Sequence, residues 1–275
     1  MIKFLILSQK ELERYYREKR AEEYDNGIPI KGIAVRRKIH RILLAVLAIN
    51  RYFSKNRLCV ISDKRTKTDK PIIYACNHIG WDDIELVFAG IEEHCYIFLG
   101  DPRGLYRRIE GLLLYLNGVI YCDTDSKTDR HIGKERCIEL LQQGGSLLIF
   151  PEGAWNVTEN EIVMKLFTGT AEMAIRGKAE IVPLAVEERN KTYYINIGKN
   201  IDCSRNTLED KKYVTQRLRD EISTLRWEIW EKLGVSKRED ISVNYYEMFL
   251  KSVLEQSEGI YTLEDINKTK YHEKI

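Results

Sequence analysis

The residues best suited to chemistry stand in one stretch, where His78 and Asp83 follow an apolar run at 71–76 that predicts an interior strand. Residues five apart on one helix point to different faces, so the two side chains meet only if the chain bends between them. Gly80 supplies a bend, and Asp82 or Asp83 can then begin a helix whose dipole favours a carboxylate. Such a pair would let the carboxylate set the imidazole tautomer while the ring accepts a proton from a hydroxyl. The alternative is a polar histidine satisfied in a turn beside a helix-capping aspartate.

A second polar motif follows another apolar run. Residues 146–150 have the pattern of a compact strand and lead directly into the motif FPEG, whose last two residues are Glu152 and Gly153. The motif NHxxxxD comes first in the chain, and Glu152 follows His78 by 74 residues.

These two motifs in this order resemble the glycerolipid acyltransferase family, of the 1-acyl-sn-glycerol-3-phosphate (lysophosphatidic acid) type. Weaker family features fall at 118–123 and 181–184, and the resemblance covers roughly 57–201. It implies an α/β fold with a mostly parallel central sheet flanked by helices, like that of glycerol-phosphate acyltransferases. It also implies transfer of a fatty acyl group from a thioester, acyl-CoA or acyl carrier protein, to a hydroxyl of a lysophospholipid or related lipid or glycan. Neither a cofactor nor a covalent acyl-enzyme is expected.

The resemblance also assigns roles to residues. His78 is expected to be the general base and Asp83 its orienting carboxylate. Backbone N–H groups near Gly153, or at the start of the helix after Asp83, are the alternatives for binding the oxyanion. The residues expected to bind substrate are Asn77, Asp123, Glu152, Gly153 and Trp155, of which Glu152 and Gly153 belong to the family's acceptor-binding motif.

Two family arginines that hold the acceptor phosphate are replaced in this chain. In members acting on lysophosphatidic acid, one directly follows the aspartate of the middle motif and the other stands two positions after the FPEG glycine. Those positions are Thr124 and Trp155 here, and Ala154 replaces a usual threonine. A tryptophan would turn an anion clamp into a flat apolar platform for a sugar ring or an acyl chain, so we expect an acceptor other than ordinary lysophosphatidic acid. The cations that could substitute are Arg103, Arg107, Arg108, Lys127 and Arg130.

Strand and helix patterns alternate through the middle of the chain. Strands are predicted at 71–76, 95–99, 118–122, 146–150, 180–186 and 191–197, and helices at 83–90, 103–115, 131–143 and 163–176. This alternation predicts an α/β architecture with a largely parallel sheet. His78 and Glu152 would then both lie beyond the carboxyl ends of strands, where the active sites of such sheets gather.

Three regions are predicted. They are an N-terminal helical segment at 1–56, the acyltransferase α/β domain at 57–201, and a C-terminal helical region at 202–275 that packs on the same domain. The last region carries helix patterns at 207–233 and 241–254, followed by a loose or capping tail.

The N-terminal segment contains a solvated helix pattern at 11–25 and an apolar stretch at 42–49 with basic residues on both sides. The second pattern is typical of a helix lying in a membrane interface, and equally of a core helix with basic ends. No run approaches the roughly 20 apolar residues that a spanning helix needs. We therefore expect a cytoplasmic protein held peripherally at the inner face of the cell membrane.

Composition bears on other classes of function. A net charge of +2 is too small to indicate nucleic acid binding, and six cysteines without a CxxC pair indicate reduced thiols. One rival is a metal-dependent hydrolase with ligands drawn from His78, Asp82, Asp83, His94 and Glu152, although no metal-binding spacing supports it. The other rival is a noncatalytic lipid-binding protein with the same fold.

Overall fold

The protein is built around one mixed sheet. The computed structural model describes residues 7–80, 82–100, 105–234, 237–257 and 261–271. The strands in these residues are β1 Arg57–Asp63, β2 Ile72–Cys76, β3 Tyr96–Gly100, β4 Val119–Cys122, β5 Leu147–Ile149, β6 Glu180–Arg189, β7 Thr192–Ile197 and β8 Ile201–Asp202. They stand in the order β1-β7-β6-β2-β5-β3-β4, and β8 pairs with β6.

Most neighbouring strands run parallel. Every pairing from β6 through β2, β5 and β3 to β4 is parallel, and β1 is parallel to β7. Only the pairings of β6 with β7 and β8 are antiparallel. The predicted α/β architecture with a mostly parallel sheet is confirmed.

The register of β2 and β5 brings the two sequence motifs together. Ala75 of β2 is paired with Ile149 of β5. His78 and Glu152 each come three residues after that pair, so both leave the same edge of the sheet from adjacent strands.

Helices cover both faces of the sheet. Their bounds are α1 Gln9–Asp25, α2 Ile33–Ser54, α3 Asp83–Ile91, α4 Ile109–Asn117, α5 Lys127–Gln142, α6 Gly169–Gly177, α7 Lys211–Leu233, α8 Tyr245–Gln256 and α9 Leu263–Thr269. Short 3-10 turns lie at Leu105–Arg107, Leu208–Asp210 and Arg238–Asp240. In β2, alternate side chains point to opposite faces: Ile73 and Ala75 pack with α5, α6 and α7, whereas Tyr74 and Cys76 pack with α3.

Two strand and helix predictions differ from the structure in the middle of the chain. β1 was not predicted, because it is an edge strand whose side chains are mostly exposed and whose sequence has no alternating pattern. The helix predicted at 163–176 begins only at Gly169. Its first part is held by the loop after β5 instead, since Phe167 N donates to Pro151 O at 2.9 Å.

Two other helices in the middle of the chain begin at different positions from those predicted. α4 starts at Ile109 after a 3-10 turn, and Arg103 lies outside the described residues. α5 starts at Lys127 rather than at 131, because the Ser126 hydroxyl caps it by accepting from Asp129 N at 3.2 Å.

Both ends of the chain pack more closely than their charge suggested. α1 was predicted to be solvated, yet Leu12 is buried and Arg20 Nη2 lies 2.6 Å from Asp129 Oδ2 on α5. The tail that was predicted to be loose or capping contains α9, whose amino end is capped by the Thr262 hydroxyl. α8 and α9 pack against the segment that follows β5, with Val253 and Ile266 buried beside Trp155.

Candidate active site

His78 and Asp83 meet at the carboxyl edge of the sheet, across a bend that ends where α3 begins. His78 Nδ1 lies 2.6 Å from Asp83 Oδ2, and the Asp83 side chain is fully buried. The same carboxylate oxygen accepts the backbone N–H groups of Ile79 at 2.9 Å and Gly80 at 3.3 Å. The structure thus brings together the two residues that sequence spacing alone left ambiguous.

This arrangement sets the tautomer of the histidine. A carboxylate oxygen that already accepts two amides can only accept again, so Nδ1 of His78 carries the hydrogen and Nε2 is left with a free lone pair. The imidazole stacks on Phe150, with ring centroids 4.2 Å apart and planes 20° from parallel. His78 lines a cavity, so the arrangement can support proton transfer there.

Glu152 holds the backbone of His78 through a hydrogen bond on the side away from the cavity. It is fully buried, with Oε1 3.0 Å from the His78 backbone nitrogen and Oε2 2.8 Å from that of Met164. Burial raises the pKa of this carboxyl, and the two amide hydrogen bonds act in the opposite direction. Glu152 does not line the cavity, so in this structure it positions backbone rather than contacting an acceptor.

Asn77 and Asp123 also lie away from the cavity. Asn77 donates to the Val186 carbonyl at 3.0 Å and accepts the Val186 amide at 2.8 Å, which ties the end of β2 to β6. Asp123 accepts a hydrogen bond from Arg17 and donates its own amide to Asp129. Of the five residues expected to bind substrate, the structure therefore brings only Gly153 and Trp155 to the cavity.

The cavity has a volume of about 960 Å³. One arm is apolar and lies between α2, α3 and α4. It is lined by Leu43, Leu47, Ile84, Phe88, Leu113 and Leu114. The arm extends from Gly100, at the carboxyl end of β3, to Asn117, just before the amino end of β4. It therefore runs along the full length of β3, which is roughly 16 Å at about 3.3 Å per residue.

The other arm lies beneath the C-terminal helices. Its wall includes Trp155, which is only 7% exposed and packs with the α8–α9 cluster. The tryptophan ring contacts His78 and Tyr261 edge-on, with centroids 5.9 Å away in each case. Trp155 is therefore a packed side chain at the wall, not the open platform that the sequence suggested, because α8 and α9 cover it.

A buried polar group at the inner end of the apolar arm was missed by the sequence reasoning. His40 Nδ1 lies 2.7 Å from Asn117 Oδ1, and Asn117 donates to the Cys95 carbonyl at 2.9 Å. Burial lowers the pKa of His40, so the ring is neutral near pH 7. The two residues are 77 positions apart in the chain, and no local pattern connects them.

The amides considered for an oxyanion are not equally available. Gly153 N donates to the Phe150 carbonyl at 3.0 Å within the turn. The first turn of α3 remains as a source of donors, and Ile84 and Glu85 in that turn line the cavity.

Neither a metal-binding cluster nor a membrane-spanning helix is found among the described residues. Within the described residues, no group of three or more histidine, cysteine or acidic side chains is arranged to hold a metal ion. No helix in the same part of the chain has the length and apolarity needed to cross a membrane.

Comparisons with known proteins agree with the geometry. The acyltransferase family model matches residues 57–187. A 1-acyl-sn-glycerol-3-phosphate acyltransferase of Borreliella burgdorferi is 22% identical over 193 residues, which are 66% of this chain and 76% of that protein. One from Chlamydomonas reinhardtii is 25% identical over 118 residues, 43% of this chain and 34% of that protein.

A solved structure has the same fold. The crystal structure of the 1-acyl-sn-glycerophosphate (LPA) acyltransferase PlsC from Thermotoga maritima superposes with a TM-score of 0.57 at 15% identity, covering 81% of this chain and 91% of that one. The likeness shows the fold, and the family match spans both the His78–Asp83 pair and FPEG. Residues 57–187 of the chain therefore match the acyltransferase family, and the curated relatives indicate an O-acyltransferase.

Proposed function

We propose that this protein transfers a fatty acyl group from a thioester donor, acyl-CoA or acyl carrier protein, to a hydroxyl of a lysophospholipid or related lipid acceptor. His78 is the general base and Asp83 is its orienting carboxylate. The observation that carries the proposal is the 2.6 Å contact between His78 Nδ1 and Asp83 Oδ2 at the wall of a large cavity.

The reaction needs no group beyond those of the chain and its substrates. Nε2 of His78 accepts the proton of the acceptor hydroxyl as its oxygen attacks the thioester carbonyl. The negative charge that develops on the thioester carbonyl oxygen is stabilised by donors in the first turn of α3. When the C–S bond breaks, the imidazolium returns the proton to the leaving thiolate, so the base is regenerated.

The shape of the cavity supports a lipid substrate. The apolar arm between α2, α3 and α4 would hold a fatty acyl chain, since burying methylene groups in such a space is favourable. The arm and His78 line the same cavity. An acyl chain in the arm would therefore place its thioester next to the His78 imidazole.

An exposed apolar surface supports contact with a membrane. Ile42, Val46, Ile49 and Phe53 lie on one face of α2 and are exposed, and basic residues of the same helix are exposed nearby. On α4, which packs against α2, the exposed apolar residues are Ile109, Leu112 and Tyr115. We call these seven residues the α2–α4 surface; it would dock at the inner face of the cell membrane, with anionic headgroups attracted to the basic residues.

The proposal is tested by transfer of labelled palmitoyl groups from acyl-CoA and from acyl carrier protein to total lipid and glycolipid extracts. Wild type is expected to form a labelled ester, and His78→Ala to lose it. Asp83→Asn should lower the rate by about 10²- to 10⁴-fold, because an amide no longer selects the Nδ1–H tautomer.

Other outcomes separate the alternatives. Liposome binding without transfer by either donor would favour a noncatalytic lipid-binding protein, and loss of activity on chelation would favour a metal-dependent hydrolase. Efficient acylation of lysophosphatidic acid with no use of other acceptors would show that the expectation drawn from Thr124 and Trp155 is wrong.

A further inference from the structure

The first turn of α6 opens into the arm of the cavity that lies beneath the C-terminal helices. α6 begins at Gly169, and both Gly169 and Thr170 line the cavity. The amides of a first helical turn have no partner within the helix, and the N-cap residue Thr168 makes no side-chain hydrogen bond to them. This helix end therefore presents backbone donors and the positive end of a dipole.

Thr170 adds a buried polar group that the protein does not satisfy. The residue is 2% exposed, and its Oγ1 has no hydrogen-bond partner among the described residues. A buried hydroxyl left without a partner is costly, so such groups in native structures usually serve a ligand or a water. The hydroxyl stands beside the free amides of the same turn.

The space in front of Gly169 holds no atom of another element among the described residues. A methyl group built on this glycine would meet no atom within 4 Å. There is room against the helix end for a group larger than a methyl, and a side chain at this position would occupy that room.

The surrounding charges favour an anion. Arg130 and Lys270 line the same arm. No ion pair is formed by Lys270 within the described residues. Burial lowers the pKa of its amine, and the charge of Glu161 acts in the opposite direction. The carboxylate in the first turn of α6, Glu172, is already paired with Lys134 at 2.6 Å and Arg176 at 3.3 Å. Asp125, also in the arm, is paired with Lys268 at 2.9 Å.

The helix end is connected directly to the motif after β5. Phe167, two residues before α6, donates its amide to Pro151 O at 2.9 Å, and a methyl on Gly153 would lie 2.5 Å from the Phe167 ring. Glu152, between Pro151 and Gly153, holds the His78 backbone. A group bound at the start of α6 would thus be adjacent to the part of the cavity where the acceptor hydroxyl meets the base.

We propose that the amino end of α6, with the Thr170 hydroxyl and the Lys270 and Arg130 side chains, binds the phosphate group of the acyl acceptor. This inference rests on the proposed function and deepens it: the acceptor carries a phosphate even though Thr124 and Trp155 replace the arginines expected to hold one. A phosphate offers several acceptor oxygens to the backbone and hydroxyl donors, and its charge suits the helix dipole and two cations.

The proposal is tested with Thr170→Val and Gly169→Ala. Valine keeps the shape of threonine and removes only the unpartnered hydroxyl, and the alanine methyl enters open space in a helix that favours alanine over glycine. Neither change should lower the melting temperature. The matched control is Thr215→Val on α7, a buried threonine outside the cavity whose hydroxyl donates to Lys211 O at 2.7 Å.

The first measurement is binding of glycerol 3-phosphate by calorimetry, which does not depend on turnover. Wild type and Thr215→Val are expected to bind it. Thr170→Val should bind about tenfold more weakly, as for loss of one hydrogen bond to a charged group, and Gly169→Ala should also bind more weakly because its methyl occupies the space of the phosphate. Equal binding by all four proteins, or no binding by wild type, would overturn the proposal. The binding measurement tests the phosphate site independently of catalysis. A failure to detect acyl transfer would count against the proposed function and not against the phosphate site.

The second measurement decides which substrate supplies the phosphate. The ratio of kcat/KM for lysophosphatidic acid to that for monoacylglycerol should fall about tenfold in Thr170→Val and stay unchanged in Thr215→Val. If the variant instead raises only the KM of acyl-CoA, and not that of an acyl-pantetheine thioester without the nucleotide, the phosphate belongs to the donor and the proposal is wrong.

Discussion

The Glu152 carboxylate accepts the backbone N–H of His78, with Oε1 3.0 Å from the amide nitrogen. Its other oxygen accepts the amide of Met164 at 2.8 Å. One buried side chain therefore joins the two sequence motifs and the segment that leads to α6. Residues remote from the reacting atoms can matter in this way, because the direction of the His78 ring depends on its backbone.

Glu152→Gln is expected to lose both stability and activity. A glutamine has one acceptor oxygen, so its NH₂ group would face one of the two backbone donors, and we expect a loss of about 1–3 kcal/mol in the free energy of unfolding. Urea denaturation and the palmitoyl transfer assay measure the two effects.

If Glu152 instead contacted the acceptor directly, the Glu152→Gln variant would behave differently. Stability would be unchanged and only the KM of the acceptor would rise. Glu159→Gln, at an exposed residue of the same segment, is the matched control and should leave both quantities near wild type.

Replacing Ile42, Ile49 and Phe53 with serine should weaken binding to vesicles that contain anionic lipid by about tenfold or more, because three apolar side chains no longer enter the interface. These residues are 66%, 59% and 77% exposed, so the fold should be kept. Flotation or sedimentation of vesicles measures the binding. Tyr213→Ser, on the exposed surface of α7, serves as the control, and equal loss in both proteins would contradict docking through the α2–α4 surface.

Acid should destabilise the protein partly through His94. Burial lowers its pKa to about 4, and its ring lies against His40 with centroids 5.4 Å apart. Between the unfolded pKa near 6.5 and the folded value, only the unfolded chain takes up the proton, so stability is complete above about pH 6.5 and falls as the pH drops through this window.

His94→Gln should remove part of that acid dependence. Urea midpoints at pH 7.5 and 4.5 are expected to differ less in the variant than in wild type, by about 2 kcal/mol once converted to free energy. His131→Gln, a change at an exposed histidine, should keep the wild-type difference. Identical acid dependence in all three proteins would show that His94 does not contribute.

The sequence by itself determined the class of fold and the place of the chemistry. Alternating strand and helix patterns predict a parallel sheet from local periodicity alone, and motif order placed His78 and Glu152 after strands. The edge strand β1 was not predicted from the sequence, because its residues show no strand pattern. It is stabilised by pairing with β7, over 130 residues later in the chain.

Only the tertiary structure decided what each motif residue contacts. The register of β2 with β5 turned Glu152 towards the backbone of His78, and the packing of α8 and α9 buried Trp155, although both had been expected to face an acceptor. The unpartnered hydroxyl of Thr170 and the open space at Gly169 are likewise properties of the assembled cavity. Spacing along the chain constrains neighbours within a turn or a strand, whereas contacts between distant segments depend on how the elements pack, which a local pattern does not encode.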